Sequence, residues 1–156
     1  DMQFDFNEVL DYPLPKGFHF VNPDEYDMDK GSKCCWKGFD HEQNEGSWDH
    51  QYEQSGYLLE VAPHATTNLA VIIADEKGEY ACYAGMWWTP ENKLAYMEPL
   101  CTIPEYRRRG LAAAALSELY RKTKPLGATH MTGGFHDFYK AIGYKPAVKW
   151  TYWKKQ

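Results

Sequence analysis

A chain of 156 residues with 44% hydrophobic and 16% aromatic content holds enough apolar material for one folded domain, which excludes a disordered segment. No run approaches the roughly 20 apolar residues of a membrane span, so a soluble protein without a membrane partner is expected. The net charge of −5 hides an asymmetry: residues 105–156 hold 11 Lys/Arg against 3 Asp/Glu, a net +8, while residues 1–104 hold 6 against 19, a net −13.

The chain begins at Asp1 without an initiator methionine or a signal-like segment, which fits a trimmed chain or part of a longer polypeptide. Residues 1–16 carry Phe4, Phe6, Val9 and Leu10 and then Tyr-Pro-Leu-Pro, a stiff lead-in that reads as a short edge strand plus linker ahead of a single domain over 17–156. Phe18 and Phe20 alternate with His19 and Val21 to predict a first strand over 17–21, stopped by Asn22-Pro23. A helix is expected over 24–37, with acidic residues near its N-terminus and Gly31 as its weak point. Residues 38–56 are polar, aromatic and acidic, and read as a mobile loop with one helical turn at most.

Three antiparallel strands follow over 70–74, 79–88 and 94–102, joined by turns at Asp75-Glu76-Lys77-Gly78 and Thr89-Pro90-Glu91-Asn92. Pro99 interrupts the third, because a proline cannot complete a ladder; either a bulge or splay forms there or the strand lies at an edge. Leu111, Ala115 and Leu119 recur at helical spacing, so a helix runs over 110–124, with Arg121, Lys122 and Lys124 at the end where cations suit the dipole. A short strand over 128–132, a helix over 135–142 and a final strand over 144–153 complete a mixed α/β sheet with helices on both faces.

The turn before the long helix concentrates chemistry. A helix start leaves backbone N–H groups without partners and carries partial positive charge; Gly110 and Ala112 keep that end bare, and Arg107, Arg108 and Arg109 add formal charge. Two readings fit these residues: an anion-binding corner, or a solvated basic turn over a core helix. Cys34, Cys35, Cys82 and Cys101 show no Cys-x-x-Cys spacing, and the six histidines are scattered without ligand spacing, so no metal is expected and a reduced, cytoplasmic setting is the default. The lysines of the basic half follow no aromatic-basic stripe, which argues against nucleic acid.

Arg107-x-x-Gly110-x-Ala112 resembles the Arg/Gln-x-x-Gly-x-Gly/Ala signature of the GNAT superfamily of N-acetyltransferases, and Phe138-Tyr139-Lys140-Ala141-Ile142-Gly143-Tyr144 resembles the family's Leu-Tyr-x-x-x-Gly-Phe segment. The resemblance covers about 17 to 156 and implies a mainly antiparallel central sheet of six to seven strands with acetyl-CoA as cosubstrate. It implies that Arg107, Arg108, Arg109, Gly110, Leu111, Ala112 and Ala113 hold the pyrophosphate, while backbone groups of Leu100, Cys101 and Thr102 pair with pantetheine. By the same resemblance Tyr139 donates a proton to the departing thiolate, and Glu98 serves as general base for a primary amine that attacks directly in a ternary complex. On the residues alone Tyr139 is also readable as a core aromatic and Glu98 as a surface glutamate.

The resemblance further implies that 38–56 covers the acceptor. Trp36, Trp48, Tyr57, Trp87 and Trp88 are candidates to line its pocket, with core packing as their other reading. Where many family members place an asparagine after the fifth strand, this chain has Gly133-Gly134-Phe135-His136, with His136 the candidate substitute. The acceptor's identity is not encoded in these motifs. A homodimer, or a non-catalytic acyl-CoA-binding domain beside a tandem partner, remains open.

Overall fold

The computed structural model describes residues 1–49, 66–147, 149 and 151–155. Among these, strands β1 (Met2–Asp5), β2 (Phe18–Phe20), β3 (Val71–Asp75), β4 (Tyr80–Thr89), β5 (Leu94–Thr102), β6 (His130–Gly133) and β7 (Lys145–Pro146) form one sheet in the order β2-β3-β4-β5-β6-β1-β7. Every pairing is antiparallel except β5 with β6. The helices are α1 (Met28–Gly38), α2 (His41–Glu45), α3 (Leu111–Thr123) and α4 (Asp137–Ala141).

Strand alternation divides the core. Val71 and Ile73 of β3 join the larger cluster with Leu111, Leu116 and Leu119 of α3, while Ile72 and Ala74 face Cys34 and Cys35 of α1. Helices therefore cover both faces, as expected. The helix expected over 24–37 is split: Asn22 caps a short 3-10 turn at Pro23–Glu25, Tyr26 is extended, and the Asp27 side chain accepts from Lys30 N–H to cap α1. Gly31 is buried inside α1.

Two expectations are corrected. The lead-in contributes no edge strand and linker: β1 lies inside the sheet, pairing with β6 on one side and β7 on the other. Phe4, Phe6 and Leu10 are buried, Tyr12 N–H donates to Ser117 Oγ at 2.8 Å, and Arg121 pairs with Asp11 at 3.1 Å, so the segment is strapped along α3. The long final strand is also absent among the described residues: only Lys145–Pro146 pairs, and Tyr152 and Trp153 are exposed. Part of the expected loop over 38–56 forms α2, and its residues from 50 onward lie outside the described set.

Candidate active site

The site starts from an irregular strand. β5 pairs with β4 from Leu94 to Thr102, but the register shifts between Ala84 and Met86, opposite Pro99. A Cβ on Gly85 would lie 2.1 Å from the Glu98 carbonyl oxygen and 2.8 Å from Pro99 Cδ, so this close approach requires glycine. On its other edge β5 meets β6 only at Leu94 and Ala95, after which Met97 N–H donates to Thr132 Oγ1 at 2.8 Å. Beyond that bond the parallel strands part. The opening is a cavity of about 600 Å³, bordered by β5, β6, the start of β1 and α4.

Along the open edge, alternation decides which backbone groups are available. Ile103 N–H donates to Ala81 O of β4, and the register from Leu100 to Thr102 is regular, so the groups of Cys101 also face β4 while those of Leu100 and Thr102 face away. Of the three residues expected to offer backbone groups to pantetheine, Cys101 is thus turned to its neighbour strand. Its Sγ is buried, 3.9 Å from Cys35 Sγ, and the end of α1 presses on it so closely that a Cβ on Gly38 would come within 2.7 Å.

The corner at the end of β5 forms a second cavity of about 730 Å³, lined by Thr102, Arg107, Arg108, Gly110, Ala112 and Phe138 among others. Gly110 is the N-cap of α3 in the left-handed region at φ 89°, and the first intrahelical bond is Ala114 N–H to Gly110 O at 3.0 Å. The amides of Leu111, Ala112 and Ala113 precede that bond and have no partner within the helix. A 13-residue helix adds its dipole, which is the arrangement that binds phosphate.

The three arginines have separate positions. The Arg107 guanidinium donates to Thr102 O at 3.1 Å, Gly38 O at 2.9 Å and Asp40 Oδ1 at 2.9 Å, clamping β5 to the end of α1. Arg109 lies over the rings of Phe18 and Tyr106, 5.1 and 5.3 Å from their centroids, and does not line the corner cavity. Arg108 is exposed, lines that cavity and has no ion pair among the described residues; its φ of 61° is one a non-glycine residue rarely adopts. The sequence shows three equivalent arginines, and only their partners distinguish them.

Tyr139, from α4, projects into the first cavity between two glycines and a second tyrosine. A Cβ on Gly133 would meet Tyr139 Cδ1 at 2.7 Å and Tyr144 Cε1 at 2.6 Å, and one on Gly134 would meet Tyr139 Cε2 at 3.0 Å. The Gly-Gly pair that replaces the family's asparagine is therefore the seat of this ring. Burial raises the Tyr139 pKa above 10.0, against an opposing hydrogen bond from the Gly134 backbone, so the phenol stays protonated near neutrality.

Glu98 is exposed at the rim of the same cavity and is hydrogen-bonded to Tyr96; that bond, with a smaller contribution from burial, raises the Tyr96 pKa above its usual 10.0. His136 also lines the cavity. None of Trp36, Trp48, Trp87 and Trp88 does. Trp36 is buried, stacks on His41 and donates to Gly46 O, and Trp48 donates to Ser32 Oγ. Tyr57 lies outside the described residues. The aromatic lining is instead Phe39, Tyr96, Phe135 and Tyr139, and Met2 and Gln3 of β1 reach the same space. Sequence reasoning missed Phe39, Phe135 and the β1 residues; only the sheet order brings β1 there.

The model of the acetyltransferase (GNAT) family matches residues 29–144, and the chain belongs to that family. Among solved structures, a GCN5-related N-acetyltransferase from Sphaerobacter thermophilus superposes with a TM-score of 0.67 at 13% identity over 92% of this chain, which spans 46% of that one. The ribosomal-protein-S18-alanine N-acetyltransferase from Escherichia coli gives 0.59 at 14% identity, covering 84% of this chain and 79% of that one. The aminoglycoside 6'-N-acetyltransferase AAC(6')-Ih from Acinetobacter baumannii gives 0.59 at 15% identity, with coverages of 90% and 99%. Comparison of the sequence with curated proteins returns no match.

Proposed function

We propose that this chain is an acetyl-CoA-dependent N-acetyltransferase that acetylates a primary amine by direct attack in a ternary complex. The observation that carries the reading is that the two cavities flank one helix, α4, along one strand, β5: Tyr139, Glu98 and Leu100 line the first, and Phe138, Thr102, Arg108 and Ala112 line the second. When bound, acetyl-CoA supplies the acetyl thioester. The residues present fit it: bare α3 amides and Arg108 for the diphosphate, and the outward backbone groups of Leu100 with the Thr102 N–H for the pantetheine amides.

Each residue then has a defined task. The Glu98 carboxylate attracts an ammonium and takes its proton, since an amine with a pKa near 10 must be neutral to attack. Tyr139 Oη holds a proton that can pass to a departing thiolate, and its raised pKa keeps that proton in place until strongly alkaline pH. Arg107 lines the corner and positions it by tying Thr102 O to Gly38 O through its guanidinium.

Tyr139→Phe tests the assignment. General acid catalysis contributes about 10²- to 10⁴-fold, so turnover should fall at least about 100-fold while acetyl-CoA affinity stays within about twofold. Equal turnover would remove Tyr139 from the chemistry. A non-catalytic acyl-CoA-binding domain would bind acetyl-CoA with no turnover in either form.

A further inference from the structure

The cavity beside Tyr139 also bears on which amine is acetylated. Its described lining includes no lysine and no arginine, and its basic side chain is the exposed His136 imidazole. Among the described residues its acidic lining is Glu98 and Asp1. Beside the polar Gln3, Thr132 and His136, the lining has apolar parts: Leu94, Met97, Pro99 and Leu100 from β5 form one wall, and Phe39 and Phe135 stand at the sides. Phe39 is 39% exposed, Tyr96 41% and Phe135 74%, so three rings present their faces or edges to the opening.

Each ring has a neighbour in the fold. Phe39 N–H donates to Cys35 O at the end of α1, Tyr96 is backed edge-on by Trp87 at 6.4 Å and hydrogen-bonded to Glu98, and Phe135 lies against the His136 ring at 4.4 Å. The Glu98 carboxylate beside an aromatic rim matches an ammonium attached to an apolar body, because the rings cover the body and the carboxylate holds the charged end. Resting on the acetyltransferase reading above, we infer that the acceptor is a small primary monoamine with an aromatic or apolar body, such as an arylalkylamine. In the transfer, the ammonium gives one proton to Glu98, the neutral nitrogen forms a bond to the acetyl carbon, the carbon–sulfur bond breaks, the thiolate takes the Tyr139 proton, and the second proton lost from nitrogen as the amide forms restores the Tyr139 phenol.

The test compares 2-phenylethylamine, propylamine, spermidine, neamine and alanine as acceptors, after acetyl-CoA binding has been measured separately by calorimetry. The inference expects kcat/KM for 2-phenylethylamine to exceed that for propylamine by about tenfold or more and to exceed the values for the other three. In Phe135→Ser the ratio of 2-phenylethylamine to propylamine should fall toward one through KM, with kcat retained; Phe135 is mostly exposed, so the fold tolerates the change. Faster acetylation of spermidine, neamine or alanine overturns the amine class while leaving the transferase reading intact. An unchanged ratio in both Phe135→Ser and Tyr96→Ala overturns the role of the rim. Failure to bind acetyl-CoA overturns the underlying reading, and acetyl-CoA binding without turnover of any of the five amines overturns the inference.

Discussion

Gly133→Ala and Gly134→Ala probe the seat of Tyr139 at two intensities. Carbon atoms pack best about 3.5–4.0 Å apart, so a Gly133 Cβ at 2.6 Å from Tyr144 and 2.7 Å from Tyr139 overlaps two buried rings by nearly 1 Å each. Neither ring has room to yield, since Tyr144 packs in turn on Phe4 at 5.5 Å. Overpacking of this kind costs about 1–3 kcal/mol, and at about 2–4 °C per kcal/mol Tm should drop by roughly 2–12 °C. Gly134→Ala is gentler: its Cβ meets Tyr139 Cε2 at 3.0 Å and the hydroxyl at 3.7 Å, so the ring must move by a few tenths of an ångström. Small displacements of a reacting group are costly, so kcat should fall by about tenfold while Tm stays nearly unchanged. Thermal denaturation by circular dichroism, paired with steady-state kinetics, separates the two effects. A wild-type Tm for Gly133→Ala, or a wild-type kcat for Gly134→Ala, would refute the tight seat.

Three further outcomes follow from the packing. Tyr144 carries a buried hydroxyl without a hydrogen-bond partner among the described residues, so Tyr144→Phe should stabilise the protein by about 1 kcal/mol; a lower Tm would reveal a partner. Phe4 is 2% exposed at the centre of the inserted β1, and Phe4→Ala should cost about 3–5 kcal/mol in urea denaturation, whereas a loss under 1 kcal/mol would mean that the lead-in is dispensable. Although burial acts to raise the Asp75 pKa, hydrogen bonds from Tyr106, Glu79 and Lys77 hold it below 3.8, so its stabilisation is present at neutral pH and is lost as pH falls below about 4; Asp75→Asn should flatten that acid limb of the stability curve, and an unchanged limb would contradict the assignment.

The sequence carried what short-range patterns encode. β5 over Leu94–Thr102, the β3-β4-β5 meander, the Gly110 start of α3 and the Pro99 irregularity all rest on local periodicity or on the backbone chemistry of glycine and proline. Long-range pairing was not legible in the same way. Nothing local in Met2–Asp5 indicates that it will insert between β6 and β7, because both partners lie more than 100 residues away. The aromatic rim was hidden for a related reason: Phe39 and Phe135 lie far apart in the chain and only the topology unites them, while Trp36 and Trp48 were claimed by hydrogen bonds to Gly46 and Ser32. The arginine cluster looked uniform, and its division into a clamp, a stacked cation and an exposed one depends on Asp40, Gly38, Phe18 and Tyr106, which the motif does not mention.

The central claim is that the α3 corner holds the diphosphate of acetyl-CoA. Calorimetric titration of acetyl-CoA into the wild-type chain and into Ala112→Glu tests it directly, since a carboxylate there enters the cavity lined by Arg108 and Gly110 and repels the ligand. The account predicts binding to the wild type and at least a 100-fold loss in Ala112→Glu with Tm preserved. Equal affinity in the two proteins would contradict it.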